Sequence, residues 1–346
     1  MNIVFICDPE RYPHADNDIP VCYKAAARDP KIDLFHLPVA GVTGADQVEV
    51  VPVETGELSH DAFLNLNAAP RRVMPVTDVD VMFCRTLKPF PEGHLDRLGL
   101  WIGKTKFLNN PLNKKIQISA GFLSGLAPNF TPETIVTGEA SELDAYLARH
   151  ETVVAKRPNS TNGLGVYKVW RDGGAYWTDH VHEGVHEFPD ARAMLDYVCG
   201  DWDAVELVRF LPRVTAGDKR VVVVDGEIYG AYIRRSASGH WVHNVSSSDS
   251  MCYPAEVSDF ERQAVAEIVP LYRDYGFYTL GYDFLMNDDG RWLISEINVG
   301  NIGGIARLEQ LTGDSFMNRF LDWIVRFGER PACDTGALGL RKSGLG

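Results

Sequence analysis

The segment GYDFLMNDDGRWLISEINVGN, residues 281 to 301, contains two apolar runs separated by Asp288-Asp289-Gly290. An Asp-Gly pair between two such runs predicts a β-hairpin. Residues two apart on a strand share a face, so Glu296 and Asn298 point the same way, and the hairpin can bring Asp283 beside them. Two carboxylates and an amide oxygen form an all-oxygen site that suits Mg²⁺ bound together with nucleotide phosphates. For this segment alone, a polar outer face of an amphipathic hairpin is the alternative.

The composition limits the classes of partner. The chain has 346 residues, of which 45% are hydrophobic and 23% charged, which allows two or three domains. A formal net charge of −13 argues against nucleic acid or an anionic membrane, because phosphate backbones and headgroups attract basic surfaces. The six cysteines are scattered without a CxxC pair, which favours reduced thiols over disulfides or zinc. With no signal-peptide pattern and no membrane-length apolar run, we expect a cytoplasmic protein.

The first third of the chain alternates strand and helix patterns, with apolar strands predicted at 2–7, 32–37 and 78–85. This alternation predicts a doubly wound α/β domain over residues 1–112. Residues 38–77 are less periodic and are interpreted as a hairpin or a mobile loop.

Three further spans follow. The sequence of residues 113–203 predicts a small α+β unit, with a helix whose N-cap is Ser141 and which carries Asp144 three positions later. The sequence of residues 204–330 predicts several strands, one of them at 204–212, and a helix that begins with the capping box Ser258 and Glu261. Residues 331–346 predict a flexible tail.

Two lysines and a glycine-bearing loop are candidates for phosphate binding. Lys156 ends an apolar strand and is followed by NSTNGLG, which contains Gly163 and Gly165. Loop N–H groups can wrap phosphate oxygens while the lysine neutralises them. Lys115 is a second candidate contact, and Lys114 is equally near. A surface lysine before a turn and a solvated helix face are the respective alternatives.

Further charged residues flank predicted strands. In GDKR, Asp218 could accept hydrogen bonds from ribose hydroxyls, and Arg220 could hold a phosphate or a developing negative charge. Arg234 closes the same hairpin. Arg85 follows a strand of the doubly wound domain, where a guanidinium suits a carboxylate substrate, although a salt bridge is equally expected. In TDHVHEGVHE, residues 178–187, a solvated loop or edge strand is favoured over a zinc site.

In order, the motifs are FLNNPLNKK, PETIVT, VVAKRP with its glycine loop, FLPRVTAGDKRVVVVDGE and GYDF…SEINV. This order resembles the ATP-grasp superfamily and, within it, bacterial glutathione synthetases, from the first strand to about Gly313. The resemblance implies a pre-ATP-grasp domain at 1–112, a small lid at 113–203 and a larger ATP-grasp subdomain at 204–330. ATP would lie between the last two, phosphorylate a carboxylate and leave an acyl phosphate for an amine to attack.

The same resemblance implies roles for individual residues. The metal ligands for Mg²⁺ or Mn²⁺ would be Asp283, Glu296 and Asn298, and the catalytic arginines would be Arg220 and Arg234. The ATP-binding residues would be Lys115, Lys156, Gly163, Gly165, Glu206, Val208, Phe210, Leu211 and Asp218. The substrate-side residues would be Arg85, Asn244, Asn301 and Gly303.

Three departures from the family pattern concern the substrate side and the lid. Val242 stands where the family has an arginine, Gly300 to Gly303 replace a Thr-Ser-Pro run, and the lid loop lacks adjacent glycines. We therefore expect a carboxylate–amine ligase for amino acids or small peptides that forms a peptide or γ-glutamyl-type bond. A true glutathione synthetase and a non-catalytic nucleotide-binding protein are the alternatives. Related ligases form dimers or tetramers, so a homo-oligomer is a further expectation.

Overall fold

A computed structural model describes residues 1–160, 163–236, 241 and 250–331, whose strands form three sheets. The predictions for Asn244 and for the tail beyond Pro331 lie outside the described residues. In the described part of the chain, every helix is too short or too polar to cross a membrane.

The first sheet has the strand order β4-β3-β2-β1-β5-β6. Its strands are β1 Asn2–Ile6, β2 Asp33–Leu37, β3 Gln47–Pro52, β4 Arg72–Pro75, β5 Val81–Cys84 and β6 Lys106–Leu108. Its helices are α1 Asp18–Arg28, α2 His60–Leu64 and α3 His94–Gly99. β2, β1, β5 and β6 run parallel, whereas β3 and β4 form an antiparallel edge, so a hairpin-like pairing occupies part of 38–77.

Both faces of the first sheet are buried. Phe5 packs on one face against α1 and the last helix of the chain, α10 Phe316–Glu329, while Val4 packs on the other against Leu98 of α3. Alternate side chains of a strand point to opposite faces, so covering both requires helices on both sides. The predicted doubly wound architecture is confirmed.

The second sheet has the strand order β11-β10-β9-β8-β12-β7. Its strands are β7 Thr134–Thr137, β8 Thr152–Lys156, β9 Val166–Asp172, β10 Ala175–His180, β11 Gly184–Phe188 and β12 Val205–Arg209. The helices α4 Pro111–Gln117 and α5 Phe122–Leu126 precede it, and α6 Ala140–His150 and α7 Ala191–Cys199 cover one face.

Two predictions for this region are wrong. The strand predicted at 204–212 was assigned to the third unit, but β12 pairs with β7 and β8, because Val205 and Leu207 complete the core beneath α6 and α7. The helix predicted with Ser141 as its N-cap begins at Ala140 instead, and its N-cap residue, Glu139, makes no side-chain capping bond.

The third sheet has the strand order β15-β14-β13-β16-β17 and is antiparallel throughout. Its strands are β13 Asp218–Val224, β14 Glu227–Ser236, β15 Ser250–Ala255, β16 Thr279–Met286 and β17 Trp292–Val299. The helices α8 Asp259–Asp274 and α9 Ile305–Thr312 follow β15 and β17. The capping box of Ser258 and Glu261 at the start of α8 is confirmed.

The glycine-rich turn after β17 joins the third sheet to the first. Arg85, just beyond β5, donates from Nη1 to the carbonyl of Gly300 at 2.6 Å. Asn301 donates from Nδ2 to the carbonyl of Thr86, also at 2.6 Å. The ends of β5 and β17 therefore lie against each other.

Candidate active site

The hairpin of β16 and β17 brings the three predicted metal ligands together. Asp283 lies opposite Glu296, and a bulge after Asp283 leaves Ser295 as the extra residue of β17. Asn298 donates from Nδ2 to Asp283 Oδ2 at 3.0 Å. The turn is longer than an Asp-Gly hairpin requires, because Asn287 pairs its backbone N–H with the carbonyl of Arg291.

Asp283 is the centre of a buried ionic network across β13, β14 and β16. Arg220 donates to both of its carboxylate oxygens, and Arg234 donates to Oδ1 at 2.8 Å. Arg234 also donates to Asp218 Oδ2 at 2.6 Å. These contacts follow from the register, in which Arg220 lies opposite Asp283, and Asp218 lies opposite Arg234.

The two acids of this network have different proton affinities. Burial alone would raise the pKa of Asp283, but the guanidinium groups of Arg220 and Arg234 outweigh burial and hold it below its usual range. Burial raises the pKa of Asp218 to about 6, although Arg234 opposes that rise. Asp218 Oδ1 and Arg234 Nε have no hydrogen-bond partner among the described residues, so the network keeps polar atoms available for a ligand.

The donor chemistry fits a hard cation. Glu296 is 38% exposed. Among the described residues it forms an ion pair with Lys88, whose Nζ lies 3.5 Å from Oε1. No three His, Cys, Asp or Glu side chains gather as a metal site in the described residues, so a cation at this hairpin would depend on Asn298 as well as on two carboxylates. All three ligands would then be oxygen atoms, the set that Mg²⁺ prefers.

Lys156 connects the second sheet to this hairpin. Its Nζ donates to the carbonyl of Ser295 at 2.9 Å. Glu206, opposite Lys156 on β12, accepts from the backbone N–H of Gly121 at 2.6 Å. The face of the second sheet that α6 and α7 do not cover therefore lies towards the third sheet.

Three further predicted nucleotide residues, Val208, Phe210 and Leu211, lie on β12 or just after it. Phe210 follows β12, and Lys168 places its Nζ 4.8 Å from the centre of the Phe210 ring. Val208 and Leu211, which lie within two residues of Phe210 in the sequence, are buried. The loop after Lys156 needs glycine at Gly165, because a Cβ atom there would lie 2.7 Å from Ser160 Cβ.

The prediction of Lys115 as a site residue does not agree with the structure. Lys115 is 51% exposed, and its Nζ pairs with Asp96 at 2.7 Å. Lys114 is buried instead, and it donates to the carbonyl of Val299 at 3.1 Å and to Gln117 Oε1 at 2.6 Å. Burial and the nearby Lys88 lower the pKa of Lys114 well below its usual range. Adjacent helical residues point about 100° apart, so only one of the pair can face the hairpin.

The substrate-side residues surround the glycine-rich turn. Arg85 is buried, and its Nε has no partner among the described residues. Arg220 donates from Nη1 to the carbonyl of Ile302, and a Cβ atom on Gly303 would lie 3.4 Å from the same Nη1. Asn301 also lines a pocket with an empty volume of about 350 Å³ that reaches Lys114.

Two features were missed or misread in the sequence. Lys88, beside Glu296, stands in no recognised motif, and only the fold brings it to the hairpin. His180 was expected in a solvated loop or edge strand, which is wrong, because it is 1% exposed on β10, an interior strand of its sheet. His186 does lie on the exposed edge strand β11. The sequence around both histidines is polar, so it does not show that His180 is the buried one.

Comparisons with known proteins agree with this architecture. The family model described as prokaryotic glutathione synthetase, ATP-grasp domain, matches residues 123–313, more than half of the chain. A glutathione synthetase of Prochlorococcus marinus (strain MIT 9313) is 28% identical over 324 residues, covering 90% of this chain and 95% of the relative. One from Parasynechococcus marenigrum (strain WH8102) is 26% identical over 333 residues, covering 93% and 98%.

Solved structures share the fold at low sequence identity. D-alanyl-alanine synthetase A from Vibrio cholerae aligns with a TM-score of 0.63 and 11% identity, covering 95% of this chain and 98% of that structure. D-cycloserine synthetase DcsG aligns with a TM-score of 0.61 and 13% identity, covering 95% and 100%. The chain belongs to the prokaryotic glutathione synthetase ATP-grasp family and is an ATP-dependent C–N ligase with the family's cofactors, ATP and Mg²⁺.

Proposed function

We propose that this enzyme joins the carboxylate of an amino acid or small peptide to an amine, using the network around Asp283 as its phosphoryl-transfer site. The observation that carries the proposal is the contact of Arg220, Arg234 and Asn298 with one buried carboxylate. Lys156 of the second sheet contacts the same hairpin through the carbonyl of Ser295. Phosphoryl transfer requires mainly positioning and charge neutralisation, and these side chains supply both.

The nucleotide and the metal divide the site between them. Asp283, Glu296 and Asn298 would hold Mg²⁺, which neutralises phosphate charge when bound. Lys114 and Lys156 would contact phosphate oxygens. Asp218 would accept from the ribose, and the adenine would lie near Val208, Phe210 and Leu211, beside Glu206. The lid would run from residue 113 to Arg209, so that it includes β12, and the larger subdomain would follow it to residue 330.

The proposed reaction has two steps, and neither requires a nucleophile from the protein. A carboxylate oxygen of the first substrate attacks the γ-phosphorus of ATP, and ADP leaves. The amine nitrogen of the second substrate attacks the acyl carbon, phosphate leaves, and the nitrogen loses a proton. Arg220 and Arg234 would stabilise the transferred phosphoryl group, and the lid would exclude water from the acyl phosphate.

The substrate pair is proposed to differ from that of a glutathione synthetase. The nucleotide and metal residues keep the family pattern, while Gly300 to Gly303 and Val242 depart from it. Arg85, Asn301 and Gly303 lie in or beside the turn where the substrates would meet, and Asn244 is a substrate residue that the family resemblance alone implies. A true glutathione synthetase remains the second candidate, because its relatives match along nearly the whole chain.

A screen of ADP release over pairs of acids and amines tests the proposal. The panel contains amino acids, dipeptides and γ-glutamylcysteine with glycine, and mass spectrometry identifies each product. We expect turnover with a pair other than γ-glutamylcysteine and glycine. Strong turnover with that pair alone would establish the second candidate. Absence of ADP and of acyl phosphate with every acid would instead favour a non-catalytic nucleotide-binding protein.

A further inference from the structure

His180 is a buried polar residue of the lid sheet that the proposed chemistry does not use. It ends β10, and its Nε2 lies 2.9 Å from the carbonyl oxygen of Gly163. Because a carbonyl only accepts, Nε2 must carry the hydrogen of this bond. Gly163 lies on the loop between Lys156 and β9, and its φ of +77° is a conformation that favours glycine.

The same loop is fixed at its other end by Arg157. The backbone N–H of Arg157 donates to the carbonyl of Gly165 at 2.8 Å. Its guanidinium donates to the carbonyls of Val198 and Tyr197, at 2.5 and 2.6 Å, near the end of α7. A cation at the last carbonyls of a helix is favourable, so this end of the loop is held firmly.

One aromatic ring connects the two anchors. Tyr167 stacks on His180 with ring centroids 4.7 Å apart, and the Arg157 guanidinium lies 4.9 Å from the same ring. On the other side of His180, its Nδ1 lies 3.7 Å from a carboxylate oxygen of Glu183. The orientation of the imidazole is therefore restrained from two sides while its Nε2 holds Gly163.

We propose that His180 is a positioning residue that holds Gly163 in place before ATP binds. The proposal rests on the proposed function and on the role that the sequence predicts for Gly163 and Gly165, in which backbone N–H groups around them wrap the phosphates. A residue held in place in advance does not lose its conformational freedom on binding, so ATP binds more tightly. His180 itself touches no substrate.

The test compares two replacements of His180 with one matched control. In H180F the ring still stacks on Tyr167 but loses the donor, whereas in H180Q an amide donor is retained. In H186F the change falls on the exposed edge strand β11, where His186 contacts the carbonyl of Glu183. Direct titration with a non-hydrolysable ATP analogue and the KM for ATP are measured for each, with the thermal midpoint as a check of folding.

We expect H180F to weaken nucleotide binding and raise the KM for ATP about tenfold, with kcat at saturating ATP within about twofold of wild type. H180Q should recover most of this loss, and H186F should match wild type. Equal nucleotide affinity in folded H180F and wild type would overturn the proposal, as would a loss confined to kcat. If H180F does not fold, H180N, which is too short to reach Gly163, replaces it in the comparison with H180Q.

Replacing Lys156 separates this proposal from the proposed function. If K156M weakens nucleotide binding while H180F does not, the phosphate role of the loop stands and only the positioning role fails. If K156M leaves nucleotide binding unchanged, the assignment of the loop to the phosphates fails first.

Discussion

Replacing Lys114 with methionine should weaken ATP use strongly, whereas the same change at its neighbour Lys115 should not. Lys114 is buried, and its Nζ lies 3.1 Å from the carbonyl of Val299 at the end of β17, the strand that carries Glu296 and Asn298. Lys115 is on the exposed side of α4, paired with Asp96. The two variants share a helix, a charge change and a side-chain volume, so each serves as the other's control.

The expected losses in kcat/KM differ by about fivefold or more. A hydrogen bond from a charged group to a phosphate is worth about 1.5–3 kcal/mol, so K114M should lower kcat/KM for ATP by about 10- to 150-fold. The pair of Lys115 with Asp96 joins side chains that are 51% and 59% exposed, and such pairs contribute about 0–1 kcal/mol to stability. K115M should therefore stay within about twofold of wild type in kcat/KM, because Lys115 faces away from the hairpin.

Stability provides an independent check. Burial and Lys88 disfavour the ammonium of Lys114, so removing the charge relieves a desolvation cost, although it leaves the carbonyl of Val299 without its donor. These effects oppose each other, and the free energy of unfolding of K114M should lie within about 1 kcal/mol of wild type. The assays are ADP release over a range of ATP concentrations and urea unfolding. A K115M variant with the larger loss in kcat/KM would refute the assignment of Lys114.

Three further predictions concern the metal hairpin, acid stability and the glycine turn. E296Q should lower turnover by roughly 100-fold or more with an unchanged thermal midpoint, and wild-type activity would refute the metal assignment. Burial lowers the pKa of His36 from 6.5 to about 4, so wild-type stability should be complete above pH 6.5 and should fall by about 3 kcal/mol as the pH drops to 4. The free energy of unfolding of H36Q, measured by urea unfolding, should lack this loss. In G281A the new Cβ would lie 2.7 Å from the carbonyl oxygen of Ile302, so activity and about 1–3 kcal/mol of stability should be lost. In the control G125A the new Cβ would have no described atom within 4 Å, so this variant should retain both activity and stability.

Features that depend on short stretches of chain were predictable from the sequence. The capping box of Ser258 and Glu261 needs only four residues, and the hairpin of β16 and β17 follows from two apolar runs and an Asp-Gly pair. Asp283 and Asn298 meet because strand alternation and hairpin register are also local rules. The opening segment therefore predicted its hairpin and the approach of Asp283 to Asn298, but not the longer turn closed by Asn287 and Arg291 or the bulge at Ser295.

Features that depend on a distant partner were not predictable in this way. The apolar alternation of β12 fits either neighbouring sheet, and its assignment depends on β7 and β8, whose positions no local pattern fixes. Lys114 and Lys115 are equivalent in the sequence, and only the packing of α4 against the end of β17 decides which is buried. In the same way, His180 is buried because α7 covers its face of the sheet, which the polar sequence around it conceals.

The contacts of the glycine-rich turn explain how its sequence can depart from the family while the metal end does not. Arg85 holds the turn through the carbonyl of Gly300, and Arg220 holds it through the carbonyl of Ile302. Backbone carbonyls are present whatever the side chain, so replacing a Thr-Ser-Pro run need not disturb these anchors. The carboxylate of Asp283, in contrast, accepts hydrogen bonds from the side chains of Arg220, Arg234 and Asn298, and the two arginines balance its charge. We infer that substrate specificity can change at the turn while the phosphoryl-transfer site stays fixed.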